Sequence, residues 1–429
     1  MDAPIVPPAA VAAPVAGVPT HLRQIEWTPG RGPRRPVVAV LDTGVDAGVP
    51  GLADAIDTRG ARSFVPGTRD PLSDPSGHGT HVAGIITDVA AGNTGPGVTI
   101  LPVTIADARG ATRTLDLVRG VRYAVARGAS VINISFGGEG FSAAEQAALD
   151  AAARAGVLVV VSAGNNGLRG GPPVYPGAYR QALAVGAVGD DGRPLLLSAK
   201  GPHLAVVAPG DGVVAARAHD RPGATEARTG TSMATAVVSG VAARILALRP
   251  RLSAPQVRTL IETTARDVPP SGRDVGSGLG LVDLRAALAA PTPPREDREP
   301  NDDTVLVRAL APLMGPGGAR GRALRGRTGS WGDPRDGFRV YLRSGQTVTA
   351  VLKGPGRADL DLALWRAGTP RGERDGAFAR RWLAAISIGP ASIERLSITA
   401  SRSGFYTLEV QGGREPAPYR LIVRRSGRL

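Results

Sequence analysis

In the N-terminal part of the chain, apolar residues fall into short β-branched runs at 37–41, 98–103, 130–134, 157–161, 183–188 and 204–207. Uniformly apolar runs of this length predict strands buried on both faces. Between and after them, apolar positions recur at helical spacing over 115–127, 142–155, 233–248 and 255–265. Strands alternating with helices predict an α/β fold, a doubly wound, mainly parallel sheet covered on both faces. Ligand-binding groups in such sheets gather beyond the carboxyl ends of the strands.

The pattern changes near residue 290. Ala290-Pro291-Thr292-Pro293-Pro294, followed by Arg295-Glu296-Asp297-Arg298-Glu299, predicts a solvated linker. Beyond it, short alternating runs at 337–342, 347–352, 360–365, 394–399, 404–410 and 419–423 predict a smaller all-β sandwich. The expected organisation is a Pro/Ala-rich lead-in over 1–36, disordered by composition, an α/β domain over 37–290, a linker over 291–298 and a β-sandwich over 299–429. A length of 429 residues agrees with more than one domain.

Composition narrows the classes. The formal net charge is +14, and residues 292–429 carry 24 basic against 14 acidic side chains, so about +10 of it lies there. Arg320, Arg322, Arg325 and Arg327 cluster, and a basic surface of this kind suits an envelope polysaccharide, an anionic lipid or a nucleic acid. Lysine is nearly absent (Lys200 and Lys353), which points to a general arginine bias, and no nucleic-acid motif is present, so no nucleic-acid partner is expected. The lack of cysteine excludes disulfides, zinc-thiolate sites and thiol catalysis. No apolar run approaches the roughly 18 residues that span a membrane, and the N-terminus lacks the basic start and apolar core of a signal peptide.

Three segments carry candidate chemistry, in chain order: Asp42-Thr43-Gly44 after the first apolar run, Gly77-His78-Gly79-Thr80-His81-Val82-Ala83-Gly84, and Gly230-Thr231-Ser232-Met233-Ala234 before a helical stretch. A serine hydroxyl is a weak nucleophile at neutral pH. It needs an imidazole to take its proton, and the imidazole needs a carboxylate to fix its tautomer and stabilise its cation. Taken singly, Asp42 reads as a strand-end turn carboxylate, His78 as a loop histidine in a glycine turn and Ser232 as a helix N-cap. Together, in the order Asp, His, Ser, they read as a hydrolase triad.

The stretch from Val37 to Leu288 resembles the subtilisin-like (subtilase) serine endopeptidases. Val131-Ile132-Asn133-Ile134-Ser135-Phe136-Gly137-Gly138 resembles the family's substrate-binding strand and loop, and Val159-Val160-Val161-Ser162-Ala163-Gly164-Asn165-Asn166-Gly167 its oxyanion-hole segment. The resemblance implies Asp42, His78 and Ser232 as the triad, Asn165 as oxyanion donor with the Ser232 N–H, and protein or peptide substrates. It implies Ser135, Phe136, Gly137, Ala163 and Gly164 as walls of the P1 pocket, Val174 as its floor, and Arg109-Gly110-Ala111 as an edge strand pairing with the substrate. A secreted or periplasmic monomer is expected.

Two departures bear on the chemistry. Ala236 stands where the family usually has proline, which frees φ and restores a donor in the first helical turn. Val174 precedes Tyr175-Pro176-Gly177 where glycine is frequent, so small or aliphatic P1 side chains are expected. The segment that often supplies a Ca²⁺-binding aspartate reads Val49-Pro50-Gly51-Leu52, without a carboxylate. No cofactor and no metal ligand is assigned, and structural Ca²⁺ stays open. The C-terminal region resembles the bacterial pre-peptidase C-terminal (PPC) domain through Glu299-Pro300-Asn301-Asp302-Asp303-Thr304, Asp336-Gly337-Phe338 and Ala358-Asp359-Leu360-Asp361-Leu362. Asp302, Asp303, Asp359 and Asp361 read as solvated acidic turns, with Ca²⁺ binding as the alternative. Two other classes compete for the whole chain. One is a catalytically silent scaffold whose basic β domain binds an envelope polymer. The other is a serine esterase of another fold, against which the missing Gly-x-Ser-x-Gly elbow counts.

Overall fold

In the computed structural model the described residues are 19–28, 32–67, 70–91, 97–170, 172–218, 224–295, 311–328, 335–356, 358–369, 380–389, 392–412 and 417–427. The apolar runs form strands β1 (Val37–Asp42), β3 (Thr99–Thr104), β4 (Val131–Ile134), β5 (Leu158–Ser162), β6 (Ala182–Val188) and β7 (Leu204–Pro209). With the short edge strand β2 (Arg62–Ser63) they make a seven-stranded sheet in the order β2-β3-β1-β4-β5-β6-β7. Every described pairing in it is parallel, as doubly buried strands require.

Helices α3 (Thr114–Ala126) and α4 (Ala143–Arg154) pack against one face, around Leu41, Val103, Ile132 and Val159. The other face carries α2 (His78–Ala91), α5 (Thr231–Leu248) and α6 (Ala254–Thr263), around Val40, Val160, Val185 and Val206. A hairpin of β8 (Val213–Ala216) and β9 (Thr225–Arg228) precedes α5, and α7 (Leu284–Ala289) follows α6. By length and composition alone α5 is apolar enough to cross a membrane, but 89% of it is buried. It is the central helix of this core.

The lead-in differs from expectation where it is described. Helix α1 (Thr20–Gln24) precedes Ile25, which is fully buried, and Trp27, whose Nε1–H donates to the Val89 carbonyl at 3.2 Å. These two apolar side chains anchor a stretch whose overall composition suggests disorder. A second difference is local to the histidine: His78 and Gly79 are not in a turn but open the 14-residue helix α2, and the turn ends at Gly77, φ +72°.

The chain divides into two compact units, Met1–Pro293 and Pro294–Leu429. In the second unit, β10 (Gly321–Thr328), β17 (Ala417–Ser426), β12 (Thr347–Lys353) and β15 (Ile393–Thr399) form one antiparallel sheet in that order. The other sheet has the order β11 (Arg335–Leu342), β16 (Gly404–Gly412), β13 (Leu360–Trp365), β14 (Leu383–Ser387). The two share a core that includes Phe338, Val348, Leu362, Tyr406, Leu408 and Leu421, a β-sandwich as expected. Strand β10 carries Arg322, Arg325 and Arg327 and shows no clean alternation. It fits because Gly326 leaves room for the Tyr419 ring, where a Cβ would lie 2.4 Å from the hydroxyl. The segment 299–304, with Asp302 and Asp303, lies outside the described residues.

Candidate active site

Three elements end or begin at one place, the carboxyl edge of the parallel sheet. Asp42 is the last residue of β1, fully buried, and its Oδ1 accepts from Thr43 N at 2.8 Å and from His78 Nδ1 at 2.7 Å. His78 opens α2 with its side chain one-fifth exposed. The approach needs glycine on both sides. A Cβ on Gly79 would lie 2.1 Å from the Gly44 carbonyl oxygen and 2.9 Å from Asp42 Cβ, and one on Gly44, at φ +128°, would lie 2.2 Å from the Ser73 carbonyl.

Behind this pair lies a buried carboxylate that the sequence reading missed. Asp74 Oδ1 accepts from Thr43 Oγ1 at 2.6 Å, and its Oδ2 accepts from Thr80 N and Oγ1 at 2.8 and 2.7 Å. Thr43 Oγ1 in turn accepts from Gly79 N at 3.2 Å. Asp74 therefore ties the end of β1 to the first turn of α2, fixing the two elements that carry Asp42 and His78. Its position four residues before His78 was the available signal, but nothing in the local pattern distinguishes it from a loop aspartate.

Burial by itself lowers the His78 pKa. The charge of Asp42 and the hydrogen bond to it, with Asp74 adding in the same sense, outweigh both burial and the repulsion of Arg228, so the pKa is raised above 6.5. The other described histidines move the opposite way. Burial, assisted by His81, takes His21 down to about 4. Burial also lowers His81 and His203. His78 faces the buried Asp42 carboxylate through a ring nitrogen.

Ser232 lies in the first turn of α5, and the N-cap is Gly230 rather than Ser232. Its Oγ donates to the Ser135 carbonyl at 3.2 Å, and no hydrogen bond joins it to His78. Ser135 Oγ reciprocates by donating to the Ser232 carbonyl at 3.3 Å and accepts from Asn133 Nδ2 at 3.0 Å, while Asn133 Oδ1 accepts from Ser239 Oγ at 2.8 Å. This buried ladder locks α5 to β4. The Ser232 N–H, within the first helical turn, has no intrahelical acceptor. Asn165, exposed after β5, accepts at Oδ1 from both Thr231 N and Thr231 Oγ1 at 3.0 Å, which leaves its amide NH₂ as the free end.

Phe136 stacks edge-on against the His78 ring, centroids 5.4 Å apart. The loop after Phe136 pairs with the segment after residue 172 through Gly138 N to Tyr175 O at 2.8 Å and Tyr175 N to Gly138 O at 2.7 Å. Val174 is buried between the two glycine segments. A Cβ on Gly137 would meet its Cγ1 at 2.4 Å and one on Gly164 its Cγ2 at 2.6 Å. Two expectations need correction. Ala163 is not a pocket wall by its side chain, because its methyl packs into a small core with Val188, Leu204 and Val207. Arg109-Gly110-Ala111 is a turn and not a strand, because Asp107 Oδ1 captures Arg109 N and Ala111 N, both at 2.9 Å, and Gly110 takes φ +79°. Gly110 still faces the site, since a Cβ there would lie 3.6 Å from Phe136 Cε1. Among the described residues no three His, Cys, Asp or Glu side chains gather as metal ligands.

A serine in the first turn of a helix and an imidazole held by a buried carboxylate, all at the carboxyl edge of a parallel sheet, are the parts that an acyl-transfer hydrolase uses. Comparison with known proteins makes the class particular. The subtilase family model matches residues 34–280, and the chain belongs to that family. Subtilisin amylosacchariticus of Bacillus subtilis subsp. amylosacchariticus is 36% identical over 257 residues, covering 58% of this chain and 65% of that protein. The chain thus spans slightly less than two thirds of that relative's length. Subtilisin of Bacillus pumilus is 36% identical, covering 58% of this chain and 90% of that protein. Among solved structures, a lanthipeptide protease aligns with a TM-score of 0.54 at 28% identity, covering 59% of this chain and 86% of its own. Sphericase aligns at 0.53 and 28%, covering 60% and 94%.

Proposed function

We propose that the chain is a serine endopeptidase in which Ser232 is the nucleophile, His78 the general base and Asp42 its orienting carboxylate. The observation that carries this reading is the 2.7 Å bond from His78 Nδ1 to the buried Asp42, which leaves Nε2 as the proton-accepting nitrogen. Ser232 Oγ attacks the scissile carbonyl carbon while its proton passes to His78 Nε2, which requires the hydroxyl to turn from the Ser135 carbonyl toward the imidazole. Apo hydrogen bonds of this kind often form only with substrate bound. The oxyanion takes hydrogen bonds from Asn165 Nδ2 and the Ser232 N–H, favoured by the α5 N-terminus. Collapse breaks the C–N bond as His78 returns the proton to the leaving amine. Water, deprotonated by the same imidazole, then hydrolyses the ester.

The reaction so written takes no cofactor, because nucleophile, base and oxyanion donors all belong to the chain. The substrates are proteins and peptides with small or aliphatic P1 residues. The enzyme acts as a monomer outside the cytoplasm, in the medium or the periplasm, and the Pro294–Leu429 unit is a PPC-type module. That last reading is supported by its β-sandwich and by the Asp336-Gly337-Phe338 and Leu360-Asp361-Leu362 matches on β11 and β13. The test is a fluorophosphonate probe mapped by mass spectrometry, together with casein hydrolysis. The label is expected on Ser232, and Ser232→Ala is expected to lose both label and all but residual hydrolysis. Unchanged hydrolysis by Ser232→Ala would refute the assignment.

A further inference from the structure

A cavity of about 350 Å³ lies beside the catalytic groups, between the turn at Gly110 and the loop after Phe136. It is not the slot filled by Val174. Leu117, Ile134, Phe136 and Tyr175 form apolar and aromatic walls, and Glu145 reaches the cavity from the first turn of α4. Phe136 packs edge-on against the His78 ring and also lines this cavity, so the cavity adjoins the proposed catalytic groups.

Glu145 is unusual for such a lining. It is 7% exposed, yet its described partners are hydroxyls alone: Thr114 Oγ1 donates to Oε1 at 2.7 Å, and Tyr179 Oη lies 3.2 Å from Oε2. Arg113, which precedes Thr114, is engaged by Asp116, with Nε to Oδ2 at 2.7 Å and Nη2 to Oδ1 at 3.0 Å. Glu145 also stands three residues after the N-cap Ser142, where a glutamate ordinarily folds back onto the cap N–H. Here the Tyr179 hydroxyl takes that N–H at 2.8 Å, so the carboxylate is released from the capping role and lines the cavity. Burying a carboxylate without a cation is costly, whereas a cation entering past two aromatic walls is favoured twice, by the ring faces and by the charge.

The geometry points to a specificity pocket for a cationic substrate side chain, arginine or lysine, on the acyl side of the scissile bond, with Glu145 as its counter-ion. This rests on the endopeptidase reading above. Tyr175 joins the two. Its backbone pairs with Gly138, next to the Gly137 that closes on Val174, and the residue also lines the cavity. One extended substrate therefore presents a small P1 group to Val174 and a long cationic one to Glu145. Thr114 and Tyr179 position the carboxylate and do not neutralise it.

The test uses the full chain and fluorogenic tetrapeptide amides with Ala at P1. Arg, Lys, norleucine or Glu is placed in turn at P2, P3 and P4. At one of these positions Arg and Lys are expected to exceed norleucine in kcat/KM by about tenfold, the factor one charge-assisted hydrogen bond carries. Glu is expected to be the slowest, and the ratio should shrink as salt is raised. Glu145→Gln should bring the Arg to norleucine ratio close to one, and Glu145→Asp should restore part of it. Fluorophosphonate labelling of Ser232 in each variant separates a lost pocket from a lost fold. No labelling and no hydrolysis of any peptide would instead overturn the endopeptidase reading itself. Should Glu145→Gln not fold, the ratio and its salt dependence in the unmodified enzyme decide. Norleucine equal to or better than Arg at all three positions overturns the proposal.

Discussion

Val174→Gly tests the P1 pocket most directly. The two Val174 methyls occupy the space between Gly137 and Gly164, at distances of 2.4 and 2.6 Å from where side chains on those glycines would begin. A phenyl ring entering between the two segments needs that volume, and a methyl group does not. Removing the isopropyl group should therefore leave hydrolysis after Ala little changed while improving hydrolysis after Phe. Pocket discrimination on this scale is about 1–3 kcal/mol, or 10- to 200-fold in kcat/KM. The substitution also has a structural cost. Loss of a buried valine removes about 1.5–3 kcal/mol of apolar burial, and glycine adds roughly 0.5–1 kcal/mol of backbone entropy. That is tolerable against a typical stability of 5–15 kcal/mol. The assay is kcat/KM on tetrapeptide p-nitroanilides with Ala, Leu or Phe at P1, beside thermal melts of both proteins. A preference for Phe in the unmodified enzyme, or a folded variant with an unmoved Phe to Ala ratio, would refute the argument.

The pH profile gives a second check. His78 acts as base only when neutral, and its pKa is raised above 6.5, so kcat/KM should rise with pH through an inflection above that value. Asp74→Asn removes one of the charges that raise it, so the inflection should move to lower pH; an unmoved inflection would show that Asp74 acts only structurally. Gly79→Ala should place a methyl 2.1 Å from the Gly44 carbonyl and 2.9 Å from Asp42 Cβ, disturbing the Asp42–His78 bond. A stability loss of about 1–3 kcal/mol and a clear fall in kcat are expected, and wild-type kcat with an unchanged melt would count against the close approach.

Much of the fold was legible because doubly buried strands announce themselves. The six apolar runs expected in the first unit correspond to β1, β3, β4, β5, β6 and β7 within a residue or two. The strands that escaped were short or one-sided: β2, the β8–β9 hairpin with its exposed alternate positions, the half-buried β14, and β10, whose arginines hide its pattern. Helix α2 was hidden for another reason. Its first residues, His78 and Gly79, have poor helix propensity, and tertiary packing overrides it. The Arg109-Gly110-Ala111 segment shows the opposite error, an extended reading defeated by one aspartate that closes a turn.

The candidate site divides along the same line. The residues proposed to act through their own functional groups, Asp42, His78, Asn165 and Ser232, stand in motifs that a linear reading finds. Residues that act by holding others, such as Asp74 between Thr43 and Thr80 or Asn133 between Ser135 and Ser239, depend on contacts between elements distant in sequence. Glu145 falls between the two kinds. Ser142-x-x-Glu145 has the spacing of a capping box, which by itself explains the glutamate as a helix-start residue. Only the Tyr179 hydroxyl, brought 37 positions back to the cap, takes the N–H that the glutamate would have used. Where a residue's usual local role is filled by another side chain, its own chemistry is freed for substrate, and that substitution is visible only once the fold has brought the two together.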